Sequence, residues 1–192
     1  MKVLITGFTG FVGTNLVPYL LNKNIDVAGV SRSTTTDNIP AYRYEELTPA
    51  LFSQYDAIIH LAGKAHDLKG SAEETTYFEI NYNLTKKLYT LFQNSTASKF
   101  IYLSSVKAVA DNVQGVLSEE TIAQPLTPYG KSKRAAEEFI CGHPPHNVKH
   151  YYILRPCMIH GPNNKGNLNL LYKFVTMGIP YPLAAFENQR SF

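Results

Sequence analysis

Short apolar runs alternate with amphipathic stretches along the chain. Six of the runs have the length and apolar character of buried strands. They lie at residues 2–6, 26–30, 42–44, 57–61, 99–103 and 151–154. Helical spacing of apolar side chains predicts helices after the first strand and at residues 49–55, 72–94 and 129–141. This alternation predicts an α/β fold whose mostly parallel, doubly wound sheet is buried on both faces.

The first thirty residues already form a recognisable unit. After the strand at residues 2–6, one helical stripe carries the apolar side chains of Val12, Leu16, Val17, Leu20 and Leu21. A second apolar run follows at residues 26–30. A strand, a helix and a second strand of this length fit a parallel crossover.

Three glycines, Gly7, Gly10 and Gly13, lie between that first strand and helix. Gly7 permits a tight turn, Gly10 lets the backbone approach a pyrophosphate, and Gly13 lets the helix pack on the strand. The N–H groups of the helix start, at Phe11 and Val12, would face the anion. The turn therefore predicts a dinucleotide site in a Rossmann fold, with an ordinary glycine-rich turn as the alternative.

The residues after the second strand bear on the choice of dinucleotide. An acid there would bond a ribose 2′-hydroxyl, whereas the chain has Ser31 and Arg32. Arg32 can stack on adenine and pair with a 2′-phosphate, which favours NADP(H), although a solvated loop arginine is the alternative. Glu46, after the third strand, is either a partner of the adenine amino group or a surface carboxylate.

Tyr129 and Lys133 form the clearest catalytic pattern in the chain. Four residues apart on a helix, they share a face, so the ammonium is expected to lower the pKa of the phenol. A phenol tuned in this way can exchange a proton with an alcohol or ketone oxygen. Ser105, at the end of a preceding strand, would hold the same oxygen, with Ser104 lining the cofactor side.

Composition narrows the possible functions. The chain has 192 residues, 44% of them apolar, and a formal charge of +3, which fits one main core and does not point to nucleic acid. No apolar stretch reaches the ~18 residues of a membrane span. Two cysteines predict a reducing, cytoplasmic setting, and the histidines lack partners at metal-ligand spacing, so no metal is predicted. His60 is expected to be a packing or hydrogen-bonding residue.

Seven segments together carry a family resemblance. They are residues 6–13, 60–63, 81–85, 102–105, 129–133, 154–156 and 160–162. In their order and separation the chain resembles the extended short-chain dehydrogenase/reductases that act on nucleotide sugars, the NAD-dependent epimerase/dehydratase family. The resemblance covers nearly the whole chain.

The resemblance implies roles for individual residues. Tyr129 would be the general acid/base, Lys133 would bind the nicotinamide ribose, and Ser105 would orient the reacting oxygen. Further cofactor contacts are implied for Leu61, Ala62, Gly63, Asn81, Pro156 and Met158.

A finer resemblance, to UDP-glucose 4-epimerase-like proteins and bacterial 4-keto-reductases of surface polysaccharide synthesis, rests on residues 161–168, 178–183 and 188–192. It implies that Asn167 and Leu168 line a UDP-sugar site and that Arg190 pairs with the diphosphate. Lys107 either reaches the substrate or is a solvated loop lysine.

The resemblance also implies an organisation. Residues 1–160 would form the NAD(P)-binding Rossmann domain, and residues 161–192 would begin a substrate-binding lobe that is truncated. Relatives of this kind commonly form homodimers through a four-helix bundle, here built from the helices at residues 72–94 and 129–141.

Three functions remain open. The first is hydride transfer at C4 of a UDP-linked hexose, as an epimerase or a reductase, with an exchangeable NADPH favouring reduction. The second is a non-catalytic dinucleotide sensor or scaffold, which has no need for Tyr129, Lys133 and Ser105 together. The third is a reductase of a small ketone, which offers no diphosphate for Arg190.

Overall fold

The fold is described from a computed structural model that covers most of the chain. It describes residues 1–32, 39–65, 73–113, 115–146, 148–164 and 167–178, with the backbone alone for residues 167–171. The chain divides into two compact units, Met1–Pro156 and Cys157–Phe192.

Within the described residues of the first unit, six parallel strands form one sheet. They are β1 (Lys2–Thr6), β2 (Asp26–Ser31), β3 (Ala41–Arg43), β4 (Ala57–His60), β5 (Lys99–Leu103) and β6 (His150–Leu154). Their spatial order is β3-β2-β1-β4-β5-β6. The order reverses beside β1, which pairs with β2 on one side and β4 on the other. A crevice at the carboxyl ends of the strands forms at such a reversal.

Helices connect the strands. They are α1 (Phe11–Asn22), α2 (Pro49–Phe52), α3 (Glu74–Tyr77), α4 (Leu84–Gln93) and α5 (Pro128–Gly142). The side chains of Thr48 and Thr127 cap α2 and α5, and each of these helices has a proline in its first turn. The second unit contains α6 (Asn167–Thr176).

The apolar core lies on both faces of the sheet because neighbouring residues of a strand point to opposite sides. Val3 and Ile5 of β1 pack with Phe8 and with α1 on one face. Leu4, between them, packs on the other face in a cluster that includes Phe92 and Ile140. Both faces are therefore covered, and the predicted parallel, doubly wound α/β fold is confirmed.

One predicted helix differs from the structure. Instead of a single α-helix over residues 72–94, α3 and α4 are joined by a π-helical segment, Phe78–Asn83. The backbone stays helical through both junctions, since Tyr77 and Leu84 have right-handed helical angles. The change is therefore one of helix pitch, and it places Asn81 in the interior.

A buried glycine in β2 gives a test of this packing. A Cβ built on Gly29 would lie 2.4 Å from the ring of Phe8. Gly29→Ala should lower the free energy of unfolding by about 1–3 kcal/mol, because the core must move to admit the methyl group. Urea denaturation measures the change. Gly142→Ala is the control, since no described atom lies within 4 Å of its Cβ position, and an equal loss there would contradict the packing argument.

Candidate active site

The glycine turn lies between β1 and α1, at the carboxyl edge of the sheet. Gly7 donates its N–H to the carbonyl of Val30 (3.1 Å) and has a φ of +70°, which favours glycine. A Cβ on Gly7 would lie 2.6 Å from the backbone nitrogen of Ala62. Gly10 is exposed at the start of α1, and Gly13 packs so closely that its Cβ would lie 2.3 Å from the carbonyl oxygen of Phe8. The exposed first turn of α1 thus offers backbone N–H groups of Phe11 and Val12 to an anion.

The segment after β4 connects this turn to the catalytic helix. Leu61 donates its N–H to the carbonyl of Thr6 (3.1 Å), so residues 61–63 run beside the glycine turn. A Cβ on Gly63 would lie 3.2 Å from Nζ of Lys133. Four residues predicted to contact a dinucleotide, Leu61, Ala62, Gly63 and Lys133, are therefore brought to the same edge of the sheet.

Asn81 fixes that segment from the π-helical turn. Its buried side chain accepts a hydrogen bond from the N–H of Lys64 (2.8 Å) and donates to the carbonyl of the same residue (3.0 Å). It also donates to Oγ of Ser132 (3.0 Å), and Ser132 donates to the carbonyl of Tyr129 (2.8 Å). Asn81 therefore acts through the backbone, holding the loop after β4 against the first turn of α5.

Tyr129 and Ser105 lie near each other where α5 begins and β5 has ended, since a Cβ on Gly130 would lie 2.4 Å from the carbonyl oxygen of Lys107. Burial raises the pKa of Tyr129, and the nearby Ser105 hydroxyl opposes that rise only in part. The expected lowering of this pKa by Lys133 is therefore not observed. The ammonium of Lys133 instead donates to the carbonyl of Leu103 (2.8 Å), and the tyrosine stays a protonated phenol at neutral pH.

Lys133 is almost fully buried. Its Nζ lies 4.8 Å from the centre of the Tyr102 ring, an arrangement that favours the charged form. Burial lowers the pKa of Lys133 to about 8, and the carboxylate of Glu137 opposes the shift. The amine is thus mostly protonated at neutral pH and close to titrating.

The hydroxyl of Ser104, a residue predicted to line the cofactor side, points into the interior. Ser104 is buried, and its hydroxyl donates to Oε1 of Glu137 (2.5 Å). Glu137 also receives two hydrogen bonds from Arg155, at 3.0 and 2.7 Å. The sequence prediction missed Glu137 and gave Arg155 no role. The available signal was the spacing of four that places Glu137 on the Lys133 face of α5.

His60 is a buried hydrogen-bonding residue, as predicted. Nδ1 lies 2.7 Å from Oγ1 of Thr6, and Nε2 lies 2.8 Å from Oγ1 of Thr85. Because Thr85 donates its only hydroxyl proton to the carbonyl of Asn81 (2.7 Å), Nε2 of His60 must carry the ring proton and Nδ1 must accept. Burial, together with the charge of Lys133, lowers the pKa of His60 to about 3, so the ring is neutral.

The residues predicted to read the adenosine end lie after β2 and β3. Ser31 is buried and Arg32 is exposed. Burial raises the pKa of Tyr44, and the positive charge of Arg32 opposes that rise, so the guanidinium is close to the phenol. Glu46 is exposed and accepts the backbone N–H of Arg43 (2.6 Å) in a tight turn, which leaves its second oxygen for another partner.

Comparison with known proteins identifies the family. The model of the NAD dependent epimerase/dehydratase family matches residues 3–179. The chain belongs to this family.

Two curated relatives illustrate its range. UDP-glucose 4-epimerase of Vibrio cholerae is 30% identical over 99% of this chain and 62% of its own length. UDP-2-acetamido-2,6-beta-L-arabino-hexul-4-ose reductase of Pseudomonas aeruginosa is 33% identical over 73% of this chain and 31% of its own. This chain therefore spans less than two thirds of the relatives it matches.

Solved structures share the fold. UDP-glucuronic acid 4-epimerase from Bacillus cereus, in complex with NAD, has a TM-score of 0.77 and 24% identity, covering 94% of this chain and 64% of that one. UDP-N-acetylglucosamine 4-epimerase from Bacillus cereus has a TM-score of 0.74 and 23% identity, with coverage of 93% and 63%. These structures confirm the predicted fold, and the family model and the first curated relative confirm the predicted family.

The structure describes the side chains of only some of the residues predicted to bind cofactor or substrate near the end of the chain. Lys107 is half exposed, and its Nζ lies 3.7 Å from Oδ1 of Asp111. Pro156 accepts the N–H of Val106 (3.2 Å) beside the short turn that follows Ser105, whereas Met158 lies in the second unit. Asn167 and Leu168 begin α6 with their side chains outside the description, and Arg190 lies outside the described residues.

The described residues contain neither a candidate metal site nor a candidate membrane span. In the described parts of the chain, no group of three His, Cys, Asp or Glu side chains is placed to hold a metal ion. No helix among the described residues has the length and apolar character needed to cross a membrane.

The neutral state of His60 predicts a pH dependence of stability. Its folded pKa of about 3 is below the ordinary value near 6.5, so the unfolded chain binds the proton more readily. The stability is complete above about pH 6.5 and is lost as the pH falls toward 3, by at most about 1.4 kcal/mol per pH unit from this group. Urea denaturation between pH 7 and pH 4 measures the slope.

A histidine variant isolates that contribution. His60→Asn should be less stable at pH 7 but should lose less stability on acidification than the unmodified chain. His150→Gln, which removes an exposed histidine, should keep the original slope. If all three proteins have the same slope, His60 is not the source of the pH dependence.

Proposed function

We propose that this chain is the NAD(P)-binding part of an enzyme that transfers hydride at C4 of a UDP-linked hexose, with Tyr129 as the general acid/base. The observation that carries the proposal is the close packing of the first turn of α5, which contains Tyr129, against the turn that follows Ser105, at the edge of the sheet where Gly63 lies against Lys133. The two curated relatives, an epimerase and a 4-ulose reductase of UDP-sugars, support this substrate class.

The residues present fit a dinucleotide. Gly10 leaves the start of α1 exposed, and its extended backbone (φ −80°, ψ 176°) caps the helix without a side chain that would cover its N–H groups. At the other end of the site, Gly63 has no side chain between the loop after β4 and the amine of Lys133. The turn would hold the pyrophosphate, and Lys133 would hold the nicotinamide ribose.

The protein's own groups then divide the work. A bound nicotinamide supplies hydride transfer to or from the sugar carbon. Tyr129 donates a proton to the oxygen of a 4-keto group as that carbon is reduced, or removes it from the hydroxyl in the reverse direction. Ser105 holds the same oxygen by a hydrogen bond. Because burial keeps Tyr129 protonated, proton donation is favoured and the oxidative direction should gain with rising pH.

Finer features belong to the same proposal. The exposed Arg32, which has a serine on each side in the sequence, supports NADP(H) over NAD(H). Asn167, Leu168 and Arg190 would contact the nucleotide diphosphate, and the product would serve surface polysaccharide synthesis. Two free cysteines, Cys141 and Cys157, fit a cytoplasmic enzyme. A homodimer would form through a four-helix bundle of α4 and α5, which pack together through Tyr89 and Phe139.

Titration of the 192-residue chain with NADH, NADPH and UDP is the direct test. We expect micromolar binding of a reduced dinucleotide, measured by nicotinamide fluorescence and calorimetry, and separate binding of UDP. Binding of a dinucleotide without UDP would support the cofactor part alone, since this chain spans less than two thirds of the UDP-sugar relatives it matches. Binding of neither would contradict both.

Tyr129→Phe tests the chemical assignment. Loss of the phenolic proton should reduce turnover of a UDP-hexose by about 100-fold or more, the usual contribution of a general acid/base. The dissociation constant for NADH should change by less than about twofold. Tyr19→Phe is the matched control because Tyr19 is exposed on α1. Turnover within a few-fold of the unmodified chain would refute the role of Tyr129.

Arg32→Ala tests the choice of dinucleotide. If the guanidinium pairs with a 2′-phosphate, the variant should bind NADPH roughly tenfold more weakly while its affinity for NADH changes little. Lys99→Ala is the charge-matched control, because Lys99 is exposed at the amino end of β5, on the edge of the sheet opposite the proposed site. Equal losses for NADPH and NADH in the Arg32 variant would remove the inferred NADP preference.

A further inference from the structure

A buried carboxylate lies in the middle of α5, four residues beyond Lys133. Glu137 is 1% exposed and accepts hydrogen bonds from Ser104 at Oε1 (2.5 Å) and from Arg155 at Oε1 and Oε2 (3.0 and 2.7 Å). A second guanidinium, that of Arg134, lies 3.7 Å from Oε2. The one carboxylate therefore joins α5 to residues that directly follow β5 and β6.

Such an arrangement is seldom explained by stability alone. Removing an ion pair from water costs several kcal/mol per ion, and apolar pairs of similar volume often give equal or greater stability. The position of the pair suggests another role. Glu137 bonds to Ser104, the neighbour of Ser105, and lies one helical turn after Lys133. It is therefore close in the structure to two of the groups assigned to the reaction.

Lys133 has few other groups to stabilise its charge. β5 contributes the carbonyl of Leu103 and the ring of Tyr102, and β4 contributes the neutral ring of His60. From the π-helical segment, the oxygen of Asn81 accepts the N–H of Lys64. Among the described groups on these elements, Glu137 is the anion that acts on Lys133.

We propose that Glu137 is a positioning residue for the cofactor and proton-transfer site: fixed by Arg155 and Ser104, it keeps Lys133 in its ammonium form and holds the end of β5 that carries Ser105. This role rests on the proposed binding of a dinucleotide. It assigns Glu137 no contact with cofactor or substrate.

The charges around Lys133 determine whether its pKa should rise or fall when Glu137 is replaced. Burial lowers the pKa of Lys133 to about 8, and the charge of Glu137 limits this fall. Glu137→Gln removes the anion and leaves the cation of Arg155 unpaired nearby, and both changes disfavour the ammonium. Lys133 should then lose its proton at a lower pH, and any affinity that depends on its charge should be lost with it.

The first experiment measures Lys133 directly, with no cofactor present. The titration of its ammonium is followed by NMR in a chain labelled with ¹³C at lysine Cε, and Lys133→Met assigns the signal. We expect a midpoint near pH 8 in the unmodified chain and a midpoint lower by about one pH unit or more in Glu137→Gln. Glu138→Gln removes a neighbouring exposed carboxylate and should leave the midpoint unchanged.

A second variant addresses folding. Glu137→Gln alone leaves Arg155 unpaired and can unfold the chain. The double variant Glu137→Met, Arg155→Leu removes both charges and keeps apolar volume, so it should melt within a few degrees of the unmodified chain. Its Lys133 midpoint should still be lowered, because the Glu137 anion is gone, but by less than in Glu137→Gln, because the Arg155 cation has been removed as well. A midpoint at the original value in this folded variant would overturn the proposal, because the carboxylate would then serve packing only.

The final measurement connects the charge to binding. The affinity for NADH, titrated between pH 6 and pH 9, should fall with the Lys133 midpoint of each protein, at lower pH in both Glu137 variants. A shifted midpoint with an unchanged binding profile would overturn the positioning role. If the unmodified chain fails to bind NADH and NADPH, the proposed function fails first, a result that the variants do not influence.

Discussion

The reversal of strand order beside β1 is the constraint on which the site depends. Because β1 pairs with β2 on one side and β4 on the other, the two connections leave the sheet in opposite directions and open a crevice at its carboxyl edge. Gly7 is in contact with Ala62 across that crevice, at a separation where a methyl group would collide with the backbone. The glycine turn, the loop after β4 and the first turn of α5 are thereby held in one place.

Hydrogen bonds between buried polar groups fix the positions of the side chains in this region. His60 links Thr6 to Thr85, and Thr85 in turn donates to the backbone beside Asn81. Each donor in this chain of contacts has one acceptor, which fixes the tautomer of the ring and the direction of every bond. A polar network that is fully satisfied gives the interior one arrangement, since any other would leave a buried group without a partner.

The strands and the glycine turn could be predicted from the sequence because a single local cause determines each of them. Continuous apolar runs predicted the buried strands, and the spacing of Gly7, Gly10 and Gly13 predicted the turn, because a positive φ restricts Gly7 to glycine and close packing restricts Gly13. Side-chain directions and pKa values in the site could not be predicted, because they depend on residues that are distant in the sequence. Ser104 follows a strand, and only the position of Glu137 decides where its hydroxyl points. The pKa of Tyr129 likewise depends on burial, and no spacing along the chain reports burial.

The π-helical segment sets the rotation of α4 relative to α3 about the helix axis, in the long connection between β4 and β5. A π turn holds one residue more than an α turn, and one residue corresponds to about 100° of rotation about a helix axis. The apolar stripe of α4, which includes Leu88 and Phe92, is therefore out of phase with the buried side of α3, which carries Tyr77. Shortening Phe78–Asn83 by one residue would restore regular α geometry and turn that stripe away from the sheet. The extra residue is thus what lets one continuous helix both present Asn81 to the loop after β4 and cover the core with α4.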